Sequence, residues 1–289
     1  MKKTVISATL IASSLLAEVV TILPYAATLS YTTDSAKSIK DSSTLYGVHT
    51  SVGTLSYLLE FDYAKFQTNY KDPTFEKLNQ DDISIAYGKY FTNFMIRGGA
   101  HYINSNDVFL GDGYSVFVTL GGYNYFGYNK LDYGVDGYYT SFSQGRDELN
   151  TDVVKPVSII QISPYLSYYK ALNINWGNTI VVRYNYQMAK DYIQESYGSI
   201  EVSDTIFYKQ AFLTLKGYSG EMRTGVKDSG FTVINTLDLM KSGYGIKLGY
   251  TFAYTTTISI GYDTNTFREV DLTEDGTNSA IVASLNYRF

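Results

Sequence analysis

The chain has 289 residues, 45% hydrophobic and 16% aromatic, with no cysteine and a formal net charge of −5. The lack of cysteine removes disulfide frameworks and thiolate metal sites, and the acidic balance argues against nucleic acid as a partner. A content of 30 Tyr, 15 Phe and 24 Gly against 4 Pro favours strands and tight turns over helices.

The N-terminus begins with basic Lys2 and Lys3, continues through apolar or small residues to Leu16, and has the form of a cleavage region at 13–17. Residues 1–17 read as a secretion signal removed after Ala17, with cleavage near Ala26 or Ala27 as the alternative. Glu18 interrupts the apolar run before it reaches the roughly 20 residues a spanning helix needs. Removal of Lys2 and Lys3 takes the net charge from −5 to −7, and residues 18–289 form one domain. No second long apolar segment follows, so a membrane location requires a closed barrel, in which strands satisfy every backbone group.

Segments of alternating polarity, separated by turn-rich stretches, then run to the end of the chain. Strands are predicted over 22–33, 44–52, 55–67, 83–91, 94–104, 114–126 and 130–142. They continue over 157–170, 176–188, 205–217, 231–237, 244–253, 256–267 and 278–289. That makes fourteen, joined alternately by short turns and longer polar loops. Residues 218–230 read as an unusually long turn, and twelve strands is the alternative count. An even number places both termini on the periplasmic side, the side of the short turns. Without the strand over 22–33 that pattern would invert, which favours cleavage after Ala17. Phe91, Phe94, Phe126, Tyr128, Trp176, Phe252, Tyr254 and Phe289 all fall at the periplasmic ends, where a membrane barrel carries an aromatic girdle.

In the last strand Ile281, Ala283, Leu285, Tyr287 and Phe289 face one way, while Ala280, Val282, Ser284, Asn286 and Arg288 face the other. This ending resembles the C-terminal assembly signal of Gram-negative outer-membrane β-barrels, with Leu285, Tyr287 and Phe289 at the positions that carry it. The expected fold is therefore all-β: a transmembrane antiparallel up-and-down barrel of the outer membrane. The resemblance implies insertion by the outer-membrane assembly machinery and contact with outer-membrane lipids and lipopolysaccharide.

Catalysis has little support. The two histidines, His49 and His101, both fall on the inner face, there is no Gly-x-Ser-x-Gly elbow, and no acid is placed by sequence to orient His49 beside Ser51. No enzyme activity, cofactor or metal site is expected. Fourteen strands enclose more space than side chains fill, and no predicted loop is long enough for a large plug. An open pore follows, resembling small monomeric porins that pass small hydrophilic solutes by diffusion. A structural or adhesive barrel using acidic loops is the alternative, then a specific transporter, with a barrel enzyme less favoured. Glu60, Asp62, Arg97, His101, Asp132, Asp136, Arg183, Lys216, Lys247, Asp263 and Arg288 are the expected pore-lining residues. Most acids fall on one arc and most bases on the other, which predicts a transverse field. Five lumen acids match five bases, so acidic external loops should set a weak cation preference.

Overall fold

The computed structural model describes residues 19–107, 110–144, 146–147, 150–154, 156–190, 194–233, 236–252, 255–270 and 272–289. The proposed leader and its cleavage site lie outside them. The strands are β1 (Val19–Tyr31), β2 (Lys40–Gly53), β3 (Tyr57–Tyr70), β4 (Leu78–Tyr90), β5 (Phe94–Ser105), β6 (Gly113–Phe126), β7 (Asn129–Phe142), β8 (Arg146–Asp147) and β9 (Asn150–Val154). They continue as β10 (Val157–Asn173), β11 (Trp176–Lys190), β12 (Ser196–Tyr208), β13 (Ala211–Met222), β14 (Val226–Lys227), β15 (Thr232–Val233), β16 (Leu239–Phe252), β17 (Thr256–Arg268) and β18 (Gly276–Arg288).

Fourteen of these close into one barrel in the order β1-β18-β17-β16-β13-β12-β11-β10-β7-β6-β5-β4-β3-β2, while β8–β9 and β14–β15 are separate two-stranded hairpins. The seam joins the ends of the chain: Tyr25 pairs with Ser284 and Thr28 with Ile281. Closure leaves no unpaired edge, the condition for a sheet in lipid.

Alternation decides which way each strand faces. On β4, Ile83, Ile85 and Tyr87 are exposed on the outside, whereas Asp82, Ser84 and Ala86 are buried inside. The same holds on β6 for Val116, Val118 and Leu120 against Ser115, Phe117 and Thr119. An apolar belt of this extent all round the wall is stable only against lipid.

The connections 54–56, 91–93, 127–128, 174–175 and 209–210 are two or three residues long. All lie at the end that carries Val19 and Phe289, where Val19 pairs with Gly53 and Arg288 donates its N–H to Thr255. Aromatic rings cluster there: Phe91 stacks on Phe94 at 4.3 Å, Trp176 meets Tyr208 at a tilt at 4.4 Å, and Tyr287 meets Phe289 edge-on at 4.5 Å. Of the girdle residues expected from sequence, Tyr254 lies outside the described residues.

The strand count agrees with expectation, but through two errors that cancel. The predicted strand 205–217 runs across a hairpin turn: β12 ends at Tyr208 and β13 begins at Ala211. Lys209 adopts φ 52° in that turn, which carries no Gly, Pro, Asn or Asp. The predicted strand 231–237 is not part of the wall. It belongs to the connection 223–238, which contains β14, a 3₁₀ turn at Asp228–Gly230 and β15. The described residues of that connection fold into the barrel, where Val226, Val233 and Leu237 pack with inward-facing Ile103, Phe117, Phe142, Val157 and Ile159. The expectation of an unobstructed lumen is corrected accordingly: the plug comes from a segment too short and too polar to read as one.

Candidate functional site: a constriction inside the barrel

The inward segment begins where β13 ends. Thr224 (φ 46°), Asp228 (φ 49°), Ser229 (φ 54°) and Gly230 (φ 103°) all occupy left-handed backbone. For the three residues with side chains this costs on the order of 1 kcal/mol each, so the surroundings must hold the segment in place. Two glutamines of the wall do so. Gln161 on β10 accepts from Val226 N at 2.9 Å and donates to Val226 O at 2.8 Å, acting as a strand partner. Gln187 on β11 accepts from Arg223 N at 3.0 Å and donates to Gln161 at 3.1 Å.

The tip is gripped from β2, β3, β5 and β6. Arg97 is 6% exposed. Its Nε donates to Glu60 at 2.6 Å and its Nη1 to Ser229 O at 2.5 Å, and its guanidinium carbon lies 4.9 Å from the rings of both Phe117 and Phe231. His101 Nδ1 lies 3.2 Å from Gly230 O, and as Nδ1–H it donates there. Phe231 meets His49 edge-on at 4.8 Å. A Cβ on Gly230 would stand 2.4 Å from the Phe117 ring, so both contact and backbone require glycine. Lys227 reaches Glu201 on β12 at 3.3 Å and lies 4.1 Å over the Tyr218 ring.

The residues expected to line a pore lie on the inner faces of their strands, and most are paired. Asp62 accepts from Tyr25 at 2.9 Å and sits 3.5 Å from His49, which is 3.8 Å from Glu60. His101 Nε2 lies 3.5 Å from Asp82. Asp136 is ion-paired with Arg183 and accepts from Thr119 at 2.6 Å, while Lys130 pairs with Asp132 at 2.6 Å and Lys216 with Asp263 at 2.9 Å. Lys247 and Arg288 have no ion pair among the described residues.

The transverse field expected from sequence is therefore corrected. Glu60 with Arg97, and Asp136 with Arg183, pair across one intervening strand, so charges cancel locally instead of facing each other across the lumen. Sequence reasoning missed Gln161, Gln187, Phe231, Glu201 and Lys227. The available signal was the run 223–230, RTGVKDSG, which has the charge and turn residues of an outer loop and no alternation. On the outer loops, the Thr74 backbone N–H, then its hydroxyl, hold the Asp72 carboxyl below its ordinary range, so this charge persists in mild acid.

No protein-family model matches the sequence, and no curated protein is similar to it. Solved structures resemble the fold. A NanC porin aligns with TM-score 0.51 and 11% identity, covering 91% of this chain and 98% of its own. A ΔS2S3 mutant of TodX, a monoaromatic hydrocarbon channel, aligns with TM-score 0.55 and 11% identity, covering 96% and 91%. A bacterial polysaccharide outer membrane secretin aligns with TM-score 0.51 and 11% identity, covering 93% and 98%. At such identities the likeness establishes the barrel fold alone.

Proposed function

We propose that the chain is a channel of the Gram-negative outer membrane that passes small hydrophilic solutes by diffusion and weakly prefers cations. The observation that carries this reading is a closed barrel with a charged inner wall, narrowed by an inward segment whose polar and aromatic contacts fall on the arc from β2 to β13. The solute path would run past β17, β18 and the turn end of β16, which carry none of those polar and aromatic contacts. The fold-level likeness to a porin supports the same reading. Liposomes containing the protein should swell in small sugars faster than protein-free liposomes. No swelling would contradict it.

The apolar cluster around Phe117 and Phe142 favours a second reading, in which apolar solutes enter from outside as in a hydrocarbon channel. Toluene uptake without sugar-driven swelling would favour it. No enzymatic role is proposed, and the partners are outer-membrane lipids, lipopolysaccharide and the assembly machinery.

The seam bears on processing. β1 pairs along its length with both β18 and β2, so cleavage near Ala26 or Ala27 would remove most of the strand that closes the barrel. Mass spectrometry of protein from membranes should give Glu18 as the first residue, and a start at Ala27 or Thr28 would contradict it. Phe289 donates its N–H to Val20 O at 2.9 Å across the same seam. If Leu285, Tyr287 and Phe289 are the assembly signal, deleting Phe289 should lower the amount in the outer membrane more than Phe61→Ala does. Equal amounts in fractionated membranes would refute that role.

A further inference from the structure

Toward the turn end of the barrel, β16 presents Gly245, Lys247 and Gly249 in succession on its inner face. Neighbouring side chains occupy the space where a Cβ would stand on either glycine. A Cβ on Gly245 would stand 1.9 Å from Asp263 Oδ1 and 2.7 Å from Lys216 Cε, and one on Gly249 would stand 2.2 Å from the Phe212 ring. The absence of side chains lets the Lys216–Asp263 pair lie over one position and the Phe212 ring over the other. Lys247 stands between them, exposed to the lumen, with its Nζ 6.0 Å from the Phe212 centroid.

The charged groups around Lys247 are Lys216, Asp228 and Asp263, and Lys209 lines the same recess. Asp263 is engaged by Lys216 at 2.9 Å, and Asp228 accepts from Thr232 at 2.7 Å. Lys247 itself forms no ion pair among the described residues. It opens into a recess of about 340 Å³ at the turn end of the barrel, lined also by Phe212, Thr251, Thr257, Ser259 and Ser284. Thr251 and Thr257 pair at 2.9 Å, and Ser259 and Ser284 at 2.6 Å. In each pair one hydroxyl donates to the other, which leaves the second hydrogen and several lone pairs for a ligand.

An ammonium without an ion pair among the described residues, an aromatic face and two hydroxyl pairs match a small carboxylate that also carries hydroxyls. We infer that this recess is a binding site for hydroxylated monocarboxylates, the class of sugar acids. The ammonium takes the carboxylate, the hydroxyl pairs take the ligand's hydroxyls, and the Phe212 ring covers its carbon face. The site rests on the channel reading only in that the recess opens to the lumen.

Equilibrium dialysis of the folded protein in detergent tests it, with labelled gluconate and glucose as probes. Gluconate should bind saturably and glucose should not bind over the same range. K247M should weaken gluconate binding about ten-fold or more, the loss of one charge-assisted contact, while K247R retains most of it. G249L, which displaces the Phe212 ring but keeps the ammonium, should also weaken binding. No saturable gluconate binding, equal binding of glucose, or unchanged binding in K247M would each overturn the site. Because the readout is binding, a protein that takes up gluconate yet shows no conductance would contradict the channel and uphold the site.

Discussion

Replacing residues 223–238 with a short Gly-Ser turn should raise single-channel conductance several-fold. The replacement can close without strain on the wall, because Met222 already pairs with Met240 and β13 and β16 are neighbours. It removes Phe231, Lys227 and Asp228 from the lumen and leaves the Arg97–Glu60 pair in place. The barrel loses the packing of Val226, Val233 and Leu237, each worth roughly 1.5–3 kcal/mol when fully buried. The ladder of backbone hydrogen bonds that defines the wall is untouched. Recordings in planar bilayers at 1 M KCl, where surface charge is screened, read the geometric effect alone. Conductance equal to that of the unaltered protein would mean that the segment does not narrow the conducting path.

Arg97→Met should be the most damaging single change among the inner-wall charges. The guanidinium joins Glu60 to Ser229 O and fills the gap between Phe117 and Phe231. Its removal strands the Glu60 carboxylate, 13% exposed, with no Lys or Arg partner left among the described residues and only the His49 ring nearby, at 3.8 Å. The expected cost is about 3 kcal/mol or more, the range for breaking one partner of a buried pair. The tip of the inward segment also loses a tether, so the open-channel current should become noisier. Arg97→Lys keeps the charge but cannot bridge both acceptors with one planar fork, and should fall in between. Arg183→Met breaks the pair with Asp136, and Arg183 forms no hydrogen bond or ion pair with the inward segment among the described residues, so it should destabilise without adding noise. Urea unfolding in detergent and current-noise analysis measure the two effects. Equal noise in both methionine variants would sink the tether.

The barrel was readable in the sequence because its two strongest determinants are local. Period-two alternation assigns faces strand by strand, and short turns opposite long loops assign sides. The tyrosines and phenylalanines flanking those turns mark the interface again. The turn at Lys209-Gln210 was not readable, since neither residue has turn chemistry and Lys209 takes a left-handed backbone only because β12 and β13 pair on either side of it. Nor was the constriction. Its segment is held by Gln161 and Gln187 through backbone contacts 65 and 36 residues away in sequence, and no local pattern in the segment encodes those partners. The acids and bases of the lumen were identified on the correct faces, but their pairing depends on register across two strand spacings. The apparent arcs of charge dissolved once Glu60 met Arg97 and Asp136 met Arg183.

The central claim is that a narrowed, ion-conducting path runs through this barrel and that the outer loops bias it toward cations. The measurement that tests it most directly is the reversal potential of single channels in a planar bilayer under a KCl gradient, repeated from concentrated to dilute salt. The Debye length grows from about 3 Å at 1 M to about 30 Å at 0.01 M, so charges such as Asp72 on the outer loops act on the mouth only in dilute salt. The expected result is stepwise conductance with a reversal potential of cation sign that increases on dilution. An absence of steps, or a reversal potential of anion sign in dilute salt, would contradict the account.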